Sequence, residues 1–537
     1  MAILQNLLSS KLLINIIFLF AITKIGFSQA PSIHWQKYYG GSDSEFMSNI
    51  LEAPGGYLIE GGTLSNDGDV SGNHGVDDVW MIFIDTLGSI KWQKCLGGSA
   101  SEALGKIIIT NSNSFIYSGG TASNNGDVLG NHNTGTFDGW LVEFDSIGNI
   151  IRQKCFGGSS NEVFNGIIAS QDGDFIVWGG TSSNDDDLAN TVGHGAGDLW
   201  IMKLDSTWNI LWQKRYGGSQ NESAAKLIKA NNNSYIISGY TYSNNGDVTF
   251  LHGGCDYWLV KIDSTGDLLW EKTYGGSGYD FCTWNLLNYN NSGFIVGGYT
   301  ESTDGDVTGN HGYVDNWILF VDSIGGINWS RCYGGAAGDY LYNIYLDLDS
   351  GIIISGATNS DSGDVSGNHY GNCLPYPCDD FWILKINNQG NLLWQKCYGG
   401  GDGEIARGII TTSNSEYLVV GSGNSTDGDA IGSNYHGNAD AWVIKLAQLP
   451  NNIQSFKSPL DKNFEGYIFY SDLHLNYIAF AAYKSVLQLY DMTGQLILEK
   501  YVELYPGKNQ FIFSCGELKN GIYLVRLGNE LCKVIKK

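Results

Sequence analysis

One segment returns along most of this chain. The tryptophan of Trp35-Gln36-Lys37 recurs at Trp92, Trp212, Trp270, Trp329 and Trp394, with Ile151 in the equivalent place in one further copy. The steps run from 57 residues (35 to 92) to 65 (329 to 394). A period of about 59 residues marks a unit that cannot bury its own apolar face and must pack against copies of itself.

Each copy follows one plan. A Gly-Gly pair such as Gly40-Gly41 is followed by a carboxylate, in turn Glu45, Glu102, Glu162, Glu222, Asp280, Asp339 and Glu404. Next come an apolar run (Ile107-Ile108-Ile109), a turn and a second run (Phe294-Ile295-Val296-Gly297-Gly298). A polar loop such as Asn66-Asp67-Gly68-Asp69-Val70-Ser71-Gly72-Asn73-His74 leads to Asp-x-Trp, as in Asp78-Val79-Trp80, and a third run. A glycine turn then enters the next Trp-Gln-Lys segment. Runs of about five to seven residues bounded by Gly, Asn and Asp are strands. Four strands per unit make the blade of a β-propeller.

The ends of the array predict that it closes. It begins with the lone Trp35 segment and ends at Asp440-Ala441-Trp442, where the last unit lacks a fourth strand. The N-terminal strand supplies it, giving seven blades over 29–447 and no open edge at the join. Thirteen of the 16 tryptophans occupy repeat positions, which assigns them to packing between blades rather than to an exposed sugar platform.

Composition bounds the setting. With 55 acidic and 30 basic residues the net charge is −25, so phosphate backbones and anionic membrane surfaces are repelled and nucleic acid is not an expected partner. Lys11 precedes an apolar run from Leu12 to Ile22, followed by Gly26 and Ser28. That is the size of an export-signal core and too short to span a bilayer, so residues 1–28 read as a signal peptide, with no integral membrane segment in the mature chain. In an exported chain Cys373 and Cys378 have the spacing of a local disulfide, and Cys515 and Cys532 of one inside the last domain. Cys95, Cys155, Cys332 and Cys397 share one repeat position and read as small buried apolar groups.

Gly-Gly, the carboxylate, Gly62-Thr63-Leu64-Ser65, Asp-x-Trp and Trp together resemble the bacterial β-propeller repeats often called SBBP repeats, over roughly 31–447. The resemblance implies an extracytoplasmic binding or surface protein. After Leu446 the repeat ends, and 448–462 reads as a linker. In 463–537, Tyr490-Asp491-Met492-Thr493-Gly494-Gln495, then Leu518-Lys519-Asn520-Gly521-Ile522-Tyr523-Leu524-Val525, and the basic end Lys536-Lys537 resemble the type A C-terminal sorting domain of the type IX secretion system of Bacteroidota. Ser458-Pro459 stands where that family has Asn-Pro. The resemblance implies a small β-sandwich recognised by the outer-membrane secretion machinery, and a mature protein that is secreted or attached to the outer cell surface.

Three sets of residues are candidates for chemistry. Asp67, Asp69, Ser71 and Asp78, repeated as Asp304, Asp306, Thr308 and Asp315, have the oxygen spacing of a Ca²⁺ loop, with Gly72 and Gly309 for the sharp turn. The alternative is turn chemistry, because Asp-Gly is a turn signal and Asp78 also belongs to Asp-x-Trp. The seven carboxylates at Glu45, Glu102, Glu162, Glu222, Asp280, Asp339 and Glu404 ring one mouth of the central channel if their strand is innermost. They then either hold a cation or cap the backbone of their own turns. One histidine per loop, from His74 to His436, reads as a structural partner of a nearby Asp or Ser. Departures from the repeat mark where specificity is to be sought: the Cys373–Cys378 insertion, Trp178, Asp185-Asp186-Asp187, Trp208, and Cys282 with Trp284. The function expected is binding or adhesion toward a glycan or protein. The alternatives are a polysaccharide-active enzyme, which needs a non-repeated carboxylate pair, and a purely structural surface component.

Overall fold

A computed structural model describes residues 30–447, except 171, 232, 290–291, 370–377 and 433, together with the residues of seven strands between 464 and 536. The export segment, the linker, Cys373 and Cys515 lie outside the described residues. The chain divides into two compact units, Met1–Gln448 and Leu449–Lys537.

The first unit is an all-β, seven-bladed propeller. Each blade is a four-stranded antiparallel sheet. Blades 1 to 6 span 45–96, 102–156, 162–216, 222–274, 280–333 and 339–398. Blade 7 takes three strands from 404–446 and its outermost strand from Ile33–Tyr39, which pairs antiparallel with Asp440–Leu446 in the register Gln36↔Ile444 and Tyr39↔Ala441. The strand beginning at each carboxylate is innermost: these seven strands touch one another in turn round a closed ring.

The core lies between blades rather than within them. Seven apolar clusters fill seven seams; in the closing seam, Leu418, Val420 and Val443 of blade 7 meet Ile59, Trp80 and Ile82 of blade 1. All seven Asp-x-Trp tryptophans are fully buried. Each indole N–H donates to the second residue of its blade's Trp-Gln-Lys strand, for example Trp80 to Gln93 at 2.9 Å and Trp442 to Gln36 at 3.2 Å across the closure. Truncating such a ring costs about 3–5 kcal/mol. Cys95, Cys155, Cys332 and Cys397 are buried free thiols, and Cys378 is disulfide-bonded.

One alignment in the repeat is corrected. The tryptophan position of blade 2 is held by Arg152, which pairs with Glu143 as Trp92 pairs with Phe83, and not by Ile151. In blades 1 and 5 this tryptophan reaches the turn of the next blade: Trp92 Nε1 donates to the Ser146 carbonyl at 3.0 Å and Trp329 Nε1 to that of Asn388 at 3.3 Å. Arg152 Nη1 makes the equivalent bond to Ser206 at 3.0 Å, and its guanidinium lies 3.9 Å over the Trp208 ring. Trp208 occupies the turn position where other blades have glycine, at φ +69°. The aromatic ring has moved from strand to turn, with a cation–π pair in place of ring on glycine.

The second unit holds two sheets. Phe464–Phe469, Asp472–Ala479 and Gly507–Ser514 form one; Leu496–Leu504, Tyr483–Asp491, Gly521–Leu527 and Glu530–Lys536 form the other. Leu487, Leu489, Val502, Leu504, Tyr523, Val525 and Leu527 make its core, covered by Phe511 and Phe513 of the facing sheet. No helix among the described residues is long and apolar enough to cross a membrane.

Candidate functional site: seams and channel

The seven repeated carboxylates are buried inside the seams. Glu45 Oε2 accepts the Gly41 N–H at 2.8 Å and Oε1 accepts the Thr63 hydroxyl at 2.7 Å. Glu162 and Glu222 take the same pair of donors, Gly158 with Thr181 and Gly218 with Thr241. Glu102 accepts from Thr121. Asp280 and Asp339 take Gly276 and Gly335 N–H with Thr300 and Thr358, and Glu404 takes the N–H groups of Gly400 and Ser425. Glu45, Glu162, Glu222, Asp280 and Asp339 therefore bind the Gly-Gly loop to the second strand of their own blade.

A second acid faces each of them across the seam. A Cβ on Gly97 would lie 2.4 Å from Glu102 Oε2 and 2.7 Å from Asp78 Oδ1, so one glycine separates the acids of adjacent blades. Gly40, Gly157, Gly217, Gly275, Gly334 and Gly399 hold the same place. Burial, with the neighbouring Asp as a smaller contribution, pushes Glu102 up to about 7; Asp339 is pushed to about 7 in the same way, facing Asp315. Two like charges in a dry seam are unfavourable, and keeping one carboxyl protonated near neutrality removes the repulsion.

The loop residues do not converge on one centre. Asp67 Oδ1 accepts the Ser42 N–H at 2.7 Å and Asp304 Oδ1 accepts the Ser277 N–H at 2.7 Å, which holds both below the usual carboxylate range. Asp69 and Asp306 approach Gly40 and Gly275 N–H at 3.4 and 3.3 Å. Ser71 accepts from Gln93 at 2.6 Å, while Thr308 lines a surface groove of about 430 Å³ with His311 and Asp364. Asp78 and Asp315 are buried and bind His74 and His311, Nδ1 to Oδ2, at 2.6 Å. Among the described residues no three His, Cys, Asp or Glu side chains are grouped to hold a metal.

The histidines link blade to blade. His74 Nδ1 binds Asp78 of its own blade, and its Nε2 lies 3.9 Å from Asp127 of the next. His132, His252, His311 and His369 repeat this with Asp138 and Asp187, Asp256 and Asp306, Asp315 and Asp364, Asp380 and Asp429. In blade 3 the buried Arg215 takes Asp198 at 2.7 Å instead, and His194 stands off at 3.7 Å.

Sevenfold regularity fails at two levels of the inner strands, neither of which stands out in the sequence. The first is the register position just after the carboxylate. Blades 1 to 3 carry Phe46↔Gly62, Ala103↔Gly120 and Val163↔Gly180 there; blades 4 to 6 carry Ser223↔Tyr240, Phe281↔Tyr299 and Tyr340↔Ala357. Ring centroids run Tyr240 to Phe281 at 5.3 Å, Phe281 to Tyr299 at 5.4 Å and Tyr299 to Tyr340 at 5.5 Å. Tyr242 and Tyr279 adjoin Phe281. Tyr279 is exposed and the other rings are half-buried. The signal available in the sequence was Tyr in place of Gly before Thr241 and Thr300.

The second level follows a bulge present in all seven inner strands. Here stand Asn49, Lys106, Gly166, Lys226, Asn285, Asn343 and Gly408. Most of them line a chamber of about 370 Å³ in the central channel. Trp178, one of the departures noted above, is buried with its ring where a Gly166 side chain would be.

The comparisons with known proteins bear on the two units separately. Residues 472–537 match the family model of the secretion system C-terminal sorting domain. The C-terminal unit is a type IX sorting domain. A chain carrying this sorting domain is secreted or attached to the cell surface, and it engages the secretion machinery. The remainder of the chain is similar in fold to the Neurospora crassa Pan2 WD40 domain, at 9% identity and TM-score 0.41, covering 77% of this chain and 99% of that one. It is likewise similar to Drosophila Plexin A in complex with Semaphorin 1b, at 8% identity and TM-score 0.39, covering 78% and 88%. No curated protein matches the chain in sequence.

Proposed function

We propose that this is a surface-displayed or released binding protein of the SBBP-like propeller type, exported by its sorting domain, that holds a glycan on the aromatic stretch of blades 4 to 6. The observation that carries this reading is a run of six aromatic rings: Tyr240, Phe281, Tyr299 and Tyr340 stand at a register position where blades 2 and 3 have only small or aliphatic residues, and Tyr242 and Tyr279 adjoin them. Sugar rings present C–H faces that stack on the negative faces of aromatic rings, and half-buried rings lose little freedom on binding. The repeated carboxylates and histidines support the reading from the other side, because their hydrogen bonds are made within and between blades.

An oligosaccharide array probed with the full chain tests it. Tyr299→Ala is expected to lower affinity for the best ligand about tenfold, on the scale of a lost central contact residue, whereas Phe46→Ala leaves it unchanged. Equal loss in both variants, or none in either, sinks the assignment.

A further inference from the structure

The chamber in the central channel combines apolar walls with two cations in a protein of net charge −25. Lys106 comes from blade 2 and Lys226 from blade 4. Blade 3 between them has Gly166, beside which the Trp178 ring lies, and so places no charged side chain at that position. Glu60 is the carboxylate near Lys106. It is buried, accepts from Ser48 at 2.9 Å and Asn49 at 2.5 Å, and Asn49 Oδ1 accepts from Lys106 Nζ. The Lys226 ammonium makes no hydrogen bond or ion pair among the described residues, and the charge that acts on it is Lys106. Surroundings poor in water, and for Lys226 the second ammonium, hold both lysines down at about 8. Two ammonium groups against the one buried carboxylate of Glu60 leave a formal surplus of one positive charge.

We propose that this chamber binds a small organic carboxylate, its anionic end between Lys226 and Lys106 and its apolar body against Ile107, Leu287, Ile344 and Ile409. One surplus positive charge calls for a monoanion rather than a phosphate dianion. Aliphatic walls call for a body with little polarity, since an unpaired polar group there would lose its hydration without return. A volume of about 370 Å³ admits a chain of several carbons. The chamber is distinct from the aromatic stretch, which lies at the register position just after the carboxylates.

Calorimetric titration of the full chain with sodium hexanoate and, separately, 1-hexanol tests the proposal. Hexanoate is expected to bind one to one, with hexanol at least about tenfold weaker, the scale of a hydrogen bond to a charged group. Lys226→Met should cost hexanoate about tenfold and leave hexanol as it was; Lys226→Arg should retain hexanoate binding and serves as the second variant if the methionine protein does not fold. Tyr299→Ala should leave hexanoate binding intact, which separates this site from the glycan reading. No heat with hexanoate, equal affinity for hexanol, or wild-type hexanoate affinity in the methionine variant would overturn it.

Discussion

The seams between blades and the channel they enclose are built from the same repeats, yet they treat ionisable groups in opposite ways. In the seams an acid, an Asp-His pair and the Asp-x-Trp tryptophan recur, with the Asp-His pair exchanged at Arg215. Along the channel the level of Asn49 presents seven positions and only three kinds of side chain, with two lysines unevenly placed. The contrast separates two tasks. Groups that close the ring must recur, because every seam meets the same geometric demand. Positions facing the channel carry no such demand and are free to differ, so the irregular residues hold the information about ligands.

The strongest way to break this comparison is to open the ring. Deleting residues 30–39 leaves Asp440–Leu446 as a bare edge strand; the propeller should lose its cooperative thermal transition, and a transition like that of the intact protein would show that closure matters little. Next, Asp256→Ala removes the acceptor for both the backbone N–H and the Nδ1 of His252 and should cost about 2–3 kcal/mol in urea unfolding. Lys226→Met should cost none. Similar losses in the two variants would erase the distinction between seam and channel.

A pH series sharpens the same contrast. Glu102, Asp339 and Glu404 sit at about 7 and Asp380 at about 6, all above their unfolded values near 4.5 or 3.8. Between those values the folded chain holds protons that the unfolded chain has released, so stability rises as pH falls through the window. His132 adds the same sign. Burial lowers its pKa, but the bond to Asp138 and the nearby acids outweigh this and raise it. Its contribution is complete below the unfolded histidine value and is lost as pH climbs through the folded one. The melting temperature should therefore be higher at pH 5.5 than at pH 8, and the reverse order would refute protonated seams.

Two smaller effects complete the set. Asp186 holds φ +48° where other loops have glycines such as Gly68 and Gly126, so Asp186→Gly should stabilise by about 0.5–1 kcal/mol in the same urea assay. The smallest expected effect is that of Ca²⁺ against EDTA. Asp67 and Asp304 already accept backbone N–H groups, and the two melting curves should coincide. A melting point that falls in EDTA and returns with Ca²⁺ would assign the loops to metal.

The ring itself was readable because every blade repeats the same burial, which stamps Asp-x-Trp and Gly-Gly on the sequence seven times. The lone Trp35 segment likewise announced the shared seventh blade. The direction of the carboxylates was not readable. Glu45 lies one residue before Phe46 on an innermost strand, and only the fold shows that its side chain turns to Gly41 and Thr63. The channel lysines stayed hidden for a related reason. A bulge between Met47 and Asn49, and its equivalents, breaks the two-residue alternation, so spacing cannot tell which side chains face inward. Arg152 was misread because its role passed to Trp208, a residue 56 positions away (152 to 208) that no local pattern connects to it.

The pairing of Ile33–Tyr39 with Asp440–Leu446 also sets an order of events. Whatever leaves first during synthesis or export must wait for almost the whole array before it finds its partner. Until then the chain is an arc with two sticky margins, and an interrupted molecule keeps them. The last strand of the propeller to become available is followed directly by the segment that leads to the sorting domain. A chain that has emerged as far as its sorting domain thus already carries both strands that shut its ring.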